Sequence, residues 1–467
     1  MSRVARVSGP VTGGRGWPFG LPATDLDAVG YRADEYFVEG AAVRFEPTAG
    51  TDQGRDGRWQ VEPVGSAPYK TRLVVLRPVD AAAFNGTVVV LWNNVTAGYE
   101  NFTGGDSPEV FENGYAYVAA SVQRMGVHGQ PDNPQGLRDW DPERYGSLTI
   151  PSDDYSFDIY TQLANLVAPD RPRGGLDPMG GLEVRRIVAQ GASQSAARLA
   201  SYLNGVQPLS RRFDAFFLQM YFGGGTPLKV GDEVMTVAGA AAGAGPRIPE
   251  GLHLLRDDLG VPVLVVNTEC EATSCYPVRQ PDFERFRYWE VAGASHVSLP
   301  AMASSSPRME RDFGFAIPLD GDAMQAVNQV SVAPVVDAAL HHLQAWLLDG
   351  TPPPAQPRIT FAGEPPAIVR DDHGIARGGI RLPQVEVPLG HNSAIQQSPD
   401  IFARLVGYHE RFPDETVRAL YGSGDEYLAR YEDATRAAET AGFVLPRDVD
   451  ALLAEAAEAA QAFPPSL

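Results

Sequence analysis

Residues 186–197, reading RIVAQGASQSAA, constrain this chain more than any other stretch. The apolar run Ile187-Val188-Ala189 passes at once into Gln190-Gly191-Ala192-Ser193-Gln194-Ser195, and a helical segment follows. A strand that turns directly into a helix leaves space only for small residues two before and two after the centre of the turn. Gly191 and Ser195 meet that demand, with Ser195 standing where a second glycine is more usual. Such a turn exposes Ser193 Oγ. It also sets the Gln194 N–H at a helix N-terminus, aimed where an oxyanion develops. A plain serine at a helix start is the competing reading, and the strand–turn–helix context weighs against it. Ser193 is the candidate nucleophile.

The segments around this turn decide the fold class. Apolar, β-branched or aromatic runs occur at 70–76 (KTRLVVL), 87–92 (TVVVLW), 116–122 (AYVAASV), 186–189 (RIVA), 215–220 (AFFLQM), 262–267 (PVLVVN) and 286–291 (FRYWEV). Most are continuous rather than alternating, as in strands covered on both faces of a mainly parallel sheet. Helical patterns at 155–167 and 194–203 lie between them, which predicts an open α/β sheet. An amphipathic helix is predicted over 331–348, stopped by Asp349, Gly350 and the prolines at 352–354. The core is therefore set at 70–348, after a β-rich section at 1–69. Insertions within the core fall at 223–258, including the Ala/Gly-rich stretch 237–245, and at 297–329. The section 349–467 is expected to hold a hairpin at 367–387, turning at Asp372, His373 and Gly374, and then helices.

A serine needs a base. The strand 286–291 ends in Ala292-Gly293-Ala294-Ser295-His296, so His296 sits in a loop late in the sheet, where it can serve a serine at the end of an earlier strand. His341, His342 and His409 lie on predicted helices, His253, His373 and His391 in insertions or turns, and His128 follows an earlier strand. The acid should follow the strand before His296. Thr268-Glu269-Cys270-Glu271 stands there, with Glu271 preferred for its deeper place in the loop and Glu269 as the alternative. Two solvated loop carboxylates are the bland reading. The order Ser, acid, His is not that of the two major serine-protease arrangements. The remaining oxyanion donor is placed at the Val95 N–H, in the loop Asn93-Asn94-Val95-Thr96-Ala97-Gly98, with the Asn94 side chain as a possible assistant. An Asx turn closing the strand accounts for the same residues.

Composition excludes more than it selects. The 467 residues carry 38 basic and 58 acidic side chains, a formal charge of −20, which argues against nucleic acid or an anionic membrane as partner. No secretory pattern or membrane-length apolar run is seen, so a cytoplasmic location is expected. No zinc-type spacing or phosphate-binding glycine loop occurs, so no metal or organic cofactor is expected. Only two cysteines are present, Cys270 and Cys275, and a disulfide between them is left open. A small-molecule partner and a homo-oligomer are compatible with all of this.

Nearly the whole chain resembles bacterial α/β-hydrolase-domain proteins of similar length. The resemblance rests on DEYFVEG at 34–40, LWNNVTAG at 91–98, QGASQS at 190–195, RYWEVAG at 287–293 and RGGIRLP at 377–383. It implies an α/β-hydrolase fold with lid insertions and a C-terminal helical extension. It also implies a Ser–acid–His hydrolase in which Ser193 and His296 keep those roles, although an Asp is more usual at the acid. Some relatives look like esterases or lactonases of bulky apolar substrates, so an ester or a macrocyclic lactone such as zearalenone is the expected substrate. Tyr99, Phe102, Tyr221, Phe222 and Tyr276 are candidates for an apolar mouth, with Met220, Leu299 and Met302 near it. An acyltransferase using the same triad, or a non-catalytic binder on the same scaffold, are the other classes.

Overall fold

The computed structural model of the chain describes residues 5–130, 134–231, 251–395, 401–461 and 463. It divides into two compact units, Met1–Val263 with Pro277–Gln280 and Leu264–Tyr276 with Pro281–Leu467.

In the first unit, β1 (Arg6–Ser8), β2 (Tyr31–Pro47) and β3 (Val61–Pro78) form an antiparallel ribbon, in register from Tyr31↔Pro78 to Pro47↔Val61 with one shift between Ala42 and Arg44. The sheet continues through β4 (Thr87–Trp92), β5 (Ala116–Ala120), β6 (Arg186–Ala192) and β7 (Ala215–Gln219), in the order β1-β2-β3-β5-β4-β6-β7. β3 meets β5 antiparallel, and the pairs β5–β4, β4–β6 and β6–β7 are parallel. Every residue of β4, β5 and β7 is buried, which is why these strands read as unbroken apolar runs.

The strand order positions the site. The chain leaves β4 for β5 on one side, then returns past the helix Ser156–Asn165 to β6 on the other side of β4. From β6 it moves away again to β7. The connections after the neighbouring strands β4 and β6 thus diverge, and such a reversal opens a crevice at the carboxyl ends of the strands, where ligands bind in open α/β sheets.

In the second unit, β8 (Val263–Thr268) and β9 (Phe286–Val291) are neighbours. A segment from far along the chain lies on β9: Ile380 N donates to Glu290 O at 2.7 Å, and Ala292 N donates to Ile380 O at 2.9 Å. The helix Ala333–Asp349 ends at Gly350, whose φ of 84° continues the chain away from it. The helices Gly424–Thr440 and Pro446–Gln461 pack on each other.

Two boundaries differ from the sequence expectation. β3 runs through the division set at 69/70, because its pairing with β2 is unbroken across that point, from Ala67 to Pro78. The division at 348/349 is not one between compact units, because Ile380 extends the β9 edge. The expected hairpin at 367–387 is shorter. Arg370 pairs with Ala376 around the predicted turn, and a helical turn, Pro383–Glu386, follows. Pro383, Gly378 and Gly379 there deny a longer ladder a donor and side chains. The insertion at 297–329 folds as the helices Leu299–Phe313 and Asp322–Gln325. The stretch 237–245 lies outside the described residues.

Candidate active site

Ser193 occupies the single residue between β6 and the helix Gln194–Ser201, at φ 57° and ψ −120°. That backbone is disfavoured for a side chain with a Cβ, and strain of this kind persists only where the surroundings enforce it. They do so here. Ser193 N donates to Gln219 O at 2.9 Å, which ties the turn to the end of β7. A Cβ on Gly191 would lie 2.7 Å from Ser195 O and 3.1 Å from Ala196 N, both immovable backbone, so the position accepts only glycine. Ser195 is more than small. Its Oγ accepts from Ala192 N at 2.9 Å and donates to Ala192 O at 2.8 Å, clasping the turn in a way glycine cannot.

The loop after β4 is fastened to this turn. Asn94 Nδ2 donates to Ala192 O at 2.9 Å, while its Oδ1 accepts from Thr96 N at 2.9 Å. The Asx turn weighed from sequence is therefore present. The Oδ1 and one of the two Nδ2 hydrogens of Asn94 are thus spent on holding the loop. Among the described residues, neither the Gln194 N–H nor the Val95 N–H has a hydrogen-bond partner. Behind the loop, Asn93 Nδ2 donates to Glu100 Oε2 at 3.1 Å. Glu100 pairs with Arg72 at 2.7 Å, Arg72 with Glu35 at 3.0 Å, and Glu35 with Arg144 at 2.6 Å. These four charges are buried and balanced two against two, and removal of any one would leave a buried charge uncompensated.

In the second unit, His296 Nδ1 lies 2.7 Å from Glu271 Oε1. Glu271 is completely buried, and its other oxygen accepts from Thr268 N at 2.8 Å and Thr268 Oγ1 at 2.7 Å. This is a capping box at the start of the helix Glu269–Cys275. With the carboxylate accepting on both oxygens, His296 Nδ1 carries the proton of that bond, and Nε2 is the basic nitrogen. Glu269 faces elsewhere: its Oε1 accepts from Arg370 Nη2 at 2.7 Å and its Oε2 from Gly293 N at 2.7 Å. Of the two glutamates, Glu271 is the one on the imidazole. The structure thus gathers Ser193, Gln194 and the Val95 loop in the first unit, and His296 with Glu271 in the second.

The family description "alpha/beta hydrolase domain" matches residues 7–454. The chain belongs to this family. No curated protein matches it. Among solved structures, it resembles prolyl oligopeptidase B from Galerina marginata bound to a macrocyclization substrate, at 13% identity and TM-score 0.26, over 52% of this chain and 29% of that one. The chain thus spans less than a third of that protein's length. It also resembles esterase Est22 with p-nitrophenol, at 15% identity and TM-score 0.28, over 54% of this chain and 72% of that one. A third likeness, at 10% identity and TM-score 0.27, covers 54% of this chain and 83% of an α/β serine hydrolase without lid from Xanthomonas campestris.

The other histidines of this α/β-hydrolase-family chain have structural partners. His128 Nε2 accepts from Ile150 N at 3.0 Å, and burial, with Arg124 and Arg138 nearby, holds its pKa down at about 4. His253 is bonded to Gly225 N, and burial lowers its pKa too. His342 lies 2.8 Å from Gly442 O, and His409 lies 3.1 Å from Asn392 Oδ1. His341 rests on His342, His373 on Phe412 and His391 on Tyr408. Cys270 and Cys275 are both free thiols. Burial and then the Glu271 charge push Cys270 upward, and burial takes Cys275 up to about 12, so neither is a ready thiolate. Of the expected mouth aromatics, Phe102 is core, beneath the Arg72 guanidinium, and Tyr221 is buried. Tyr276 packs on Phe361 at 4.4 Å, and Tyr99 on Phe19 at 6.2 Å. Among the described residues, no group of three His, Cys, Asp or Glu side chains is placed to hold a metal, and no helix is long and apolar enough to cross a membrane.

Sequence reading missed the clasp by Ser195, the capping box of Thr268 and the Asn94 tie. The capping box had a readable signal, a threonine three residues before a glutamate ahead of a helical stretch.

Proposed function

We propose that this protein is a serine hydrolase that cleaves a carboxylic ester or lactone through an acyl-enzyme. The observation that carries the reading is the strained turn at Ser193 beside the two unpaired backbone donors of Gln194 and Val95. Backbone donors next to a serine and in a loop tied to its turn, with no partner of their own, are suited to an oxygen that becomes charged only during reaction. In this account Ser193 Oγ attacks the acyl carbonyl as His296 Nε2 takes its proton. Glu271 holds the imidazole in its tautomer and stabilises the imidazolium. The oxyanion rests on the Val95 and Gln194 N–H groups. His296 then protonates the leaving alkoxide, and afterwards activates the water that releases the acid and restores Ser193. In a lactone the alcohol stays tethered to the acyl group and must clear the carbonyl before water arrives. A macrocyclic lactone such as zearalenone is one member of this class.

The acyl group is proposed to be apolar. The charge of −20 disfavours anionic substrates at long range, and Met220 and Phe222 follow β7 directly. The test is a panel of p-nitrophenyl esters and lactones of graded bulk and charge, run with the parent and Ser193→Ala. The expected result is higher kcat/KM for apolar acyl groups and no turnover by the folded variant. Retained turnover in Ser193→Ala would contradict the nucleophile. Equal efficiency toward charged and apolar esters would contradict the acyl preference alone.

A further inference from the structure

Glu269 and Arg370 lie outside the proposed triad, yet they hold the turn that delivers its base. Glu269 is completely buried, while the Arg370 side chain is 34% exposed. The carboxylate joins two distant pieces of chain, Gly293 in the turn after β9 and Arg370 in the small hairpin. Arg370 is itself fixed, since its Nη1 donates to Gly374 O at 2.9 Å across that hairpin.

Gly293 stands three residues before His296, at φ 72°, and a Cβ there would lie 2.8 Å from Val385 Cγ2. Both of its polar backbone groups are taken. Its N–H goes to Glu269, and its carbonyl accepts from Asn328 Nδ2 at 2.7 Å. Asn328 Nδ2 also donates to Ser393 O at 3.1 Å, and Val297 N, just past His296, donates to Leu405 O at 3.0 Å. The path from β9 to His296 is therefore pinned before and after the histidine by residues far along the chain.

We infer that Glu269 and Arg370 are positioning residues for His296, acting through the Gly293 turn rather than on substrate. The inference rests on the reading of His296 as the base. Its physical logic is that a buried carboxylate stripped of its cation no longer sits where it did, because the uncompensated charge recruits water or another donor. The Gly293 N–H then loses its acceptor, and the imidazole is presented less accurately to its serine. Small misplacements of a reacting group cost rate far more than they cost binding.

The experiment uses the full chain with p-nitrophenyl butyrate, together with a fluorophosphonate probe that reports serine reactivity without turnover. The far-downfield proton resonance of the His296 Nδ1–H bonded to Glu271 is followed in parallel. Arg370→Ala is expected to lower kcat and the labelling rate by roughly 10- to 100-fold, to leave KM within about twofold, and to broaden or shift that resonance. Arg370→Lys, which restores a cation to Glu269, should recover most of the loss. Should Arg370→Ala fail to fold, Arg370→Gln keeps a donor without the charge and is read the same way. A folded variant with parental kcat, or one whose kcat falls with the resonance unmoved and no recovery in Arg370→Lys, overturns the positioning role. Ser193→Ala run beside these separates the two readings. Its continued labelling would sink the nucleophile itself, whereas normal rates in Arg370→Ala over an inert Ser193→Ala would sink only the inference about Arg370.

Discussion

The turn that carries Ser193 is tied at long range to Gln219 O and Asn94 Nδ2, but its shape is set by its own neighbours. Gly191, Ala192 and Ser195 fix it within a few residues, through a forbidden Cβ and a hydroxyl that bonds both polar groups of one residue. The turn that carries His296 is held from far away, by Glu269 and Asn328 at Gly293 and by Leu405 at Val297. The first is chiefly a steric solution and the second chiefly a polar one. Steric constraint acts locally and dictates residue type, so it tolerates little change. Polar constraint reaches across the chain and can be met by any group that brings a donor or acceptor to the right place. The first turn should therefore break when volume is added, and the second when charge or hydrogen bonding is removed.

The sharpest way to test that contrast lies in the two glutamates that contact the second turn. Glu271→Gln keeps the shape but replaces the carboxylate on His296 Nδ1, and a glutamine can present its amide in a way that fixes the wrong tautomer. Turnover is expected to fall by about 10²- to 10⁴-fold. Glu269→Gln keeps an acceptor for Gly293 N and touches no reacting group, so a loss of only about tenfold is expected. Both are measured as kcat on folded protein, checked by circular dichroism. A larger loss in Glu269→Gln would reverse the roles given to the two residues.

The same pair shows how far sequence could reach. The strand–turn–helix at Ser193 was legible because sterics leave so few residues that fit, and β4 and β9 matched their apolar runs from end to end. The choice between Glu269 and Glu271 was not settled by sequence in the same way. Both are buried carboxylates at the start of one helix, and only their partners differ, one an imidazole and the other a guanidinium 101 residues away. Nothing local to Arg370 announces that partnership. Likewise, Phe102 looked like a mouth residue because an aromatic after a strand end is compatible with both a wall and a core. The buried Arg72 that claims its face lies on another strand.

Adding volume tests the first turn. Gly191→Ala places a methyl 2.7 Å from Ser195 O and 2.9 Å from Ser195 C. Backbone must move to admit it, so a loss of about 1–3 kcal/mol in stability is expected from urea unfolding, accompanied by reduced Ser193 labelling. Gly293→Ala meets a side chain rather than backbone, although its positive φ also penalises the change. It should disturb labelling less than Gly191→Ala does. Equal tolerance at Gly191 would show that the elbow is not sterically closed.

The smallest effect concerns a histidine with no part in the proposed chemistry. His128 stays neutral in the folded protein down to about pH 4, whereas its ordinary value is 6.5. Between these limits the unfolded chain binds a proton that the folded one refuses, so stability falls as pH drops from 6.5 toward 4. In His128→Gln that part of the slope should vanish, read as a flatter dependence of the urea midpoint on pH over the same interval. An unchanged slope would mean that His128 titrates alike in both states.

The central claim is that Ser193 is the nucleophile, made reactive by its turn and by His296. The most direct measurement is reaction of the intact protein with a fluorophosphonate, followed by proteolysis and mass spectrometry to locate the adduct. The account predicts a single stoichiometric adduct on Ser193, absent in Ser193→Ala and strongly slowed in Glu271→Gln. An adduct on another residue, or labelling at the parental rate in Ser193→Ala, would contradict it.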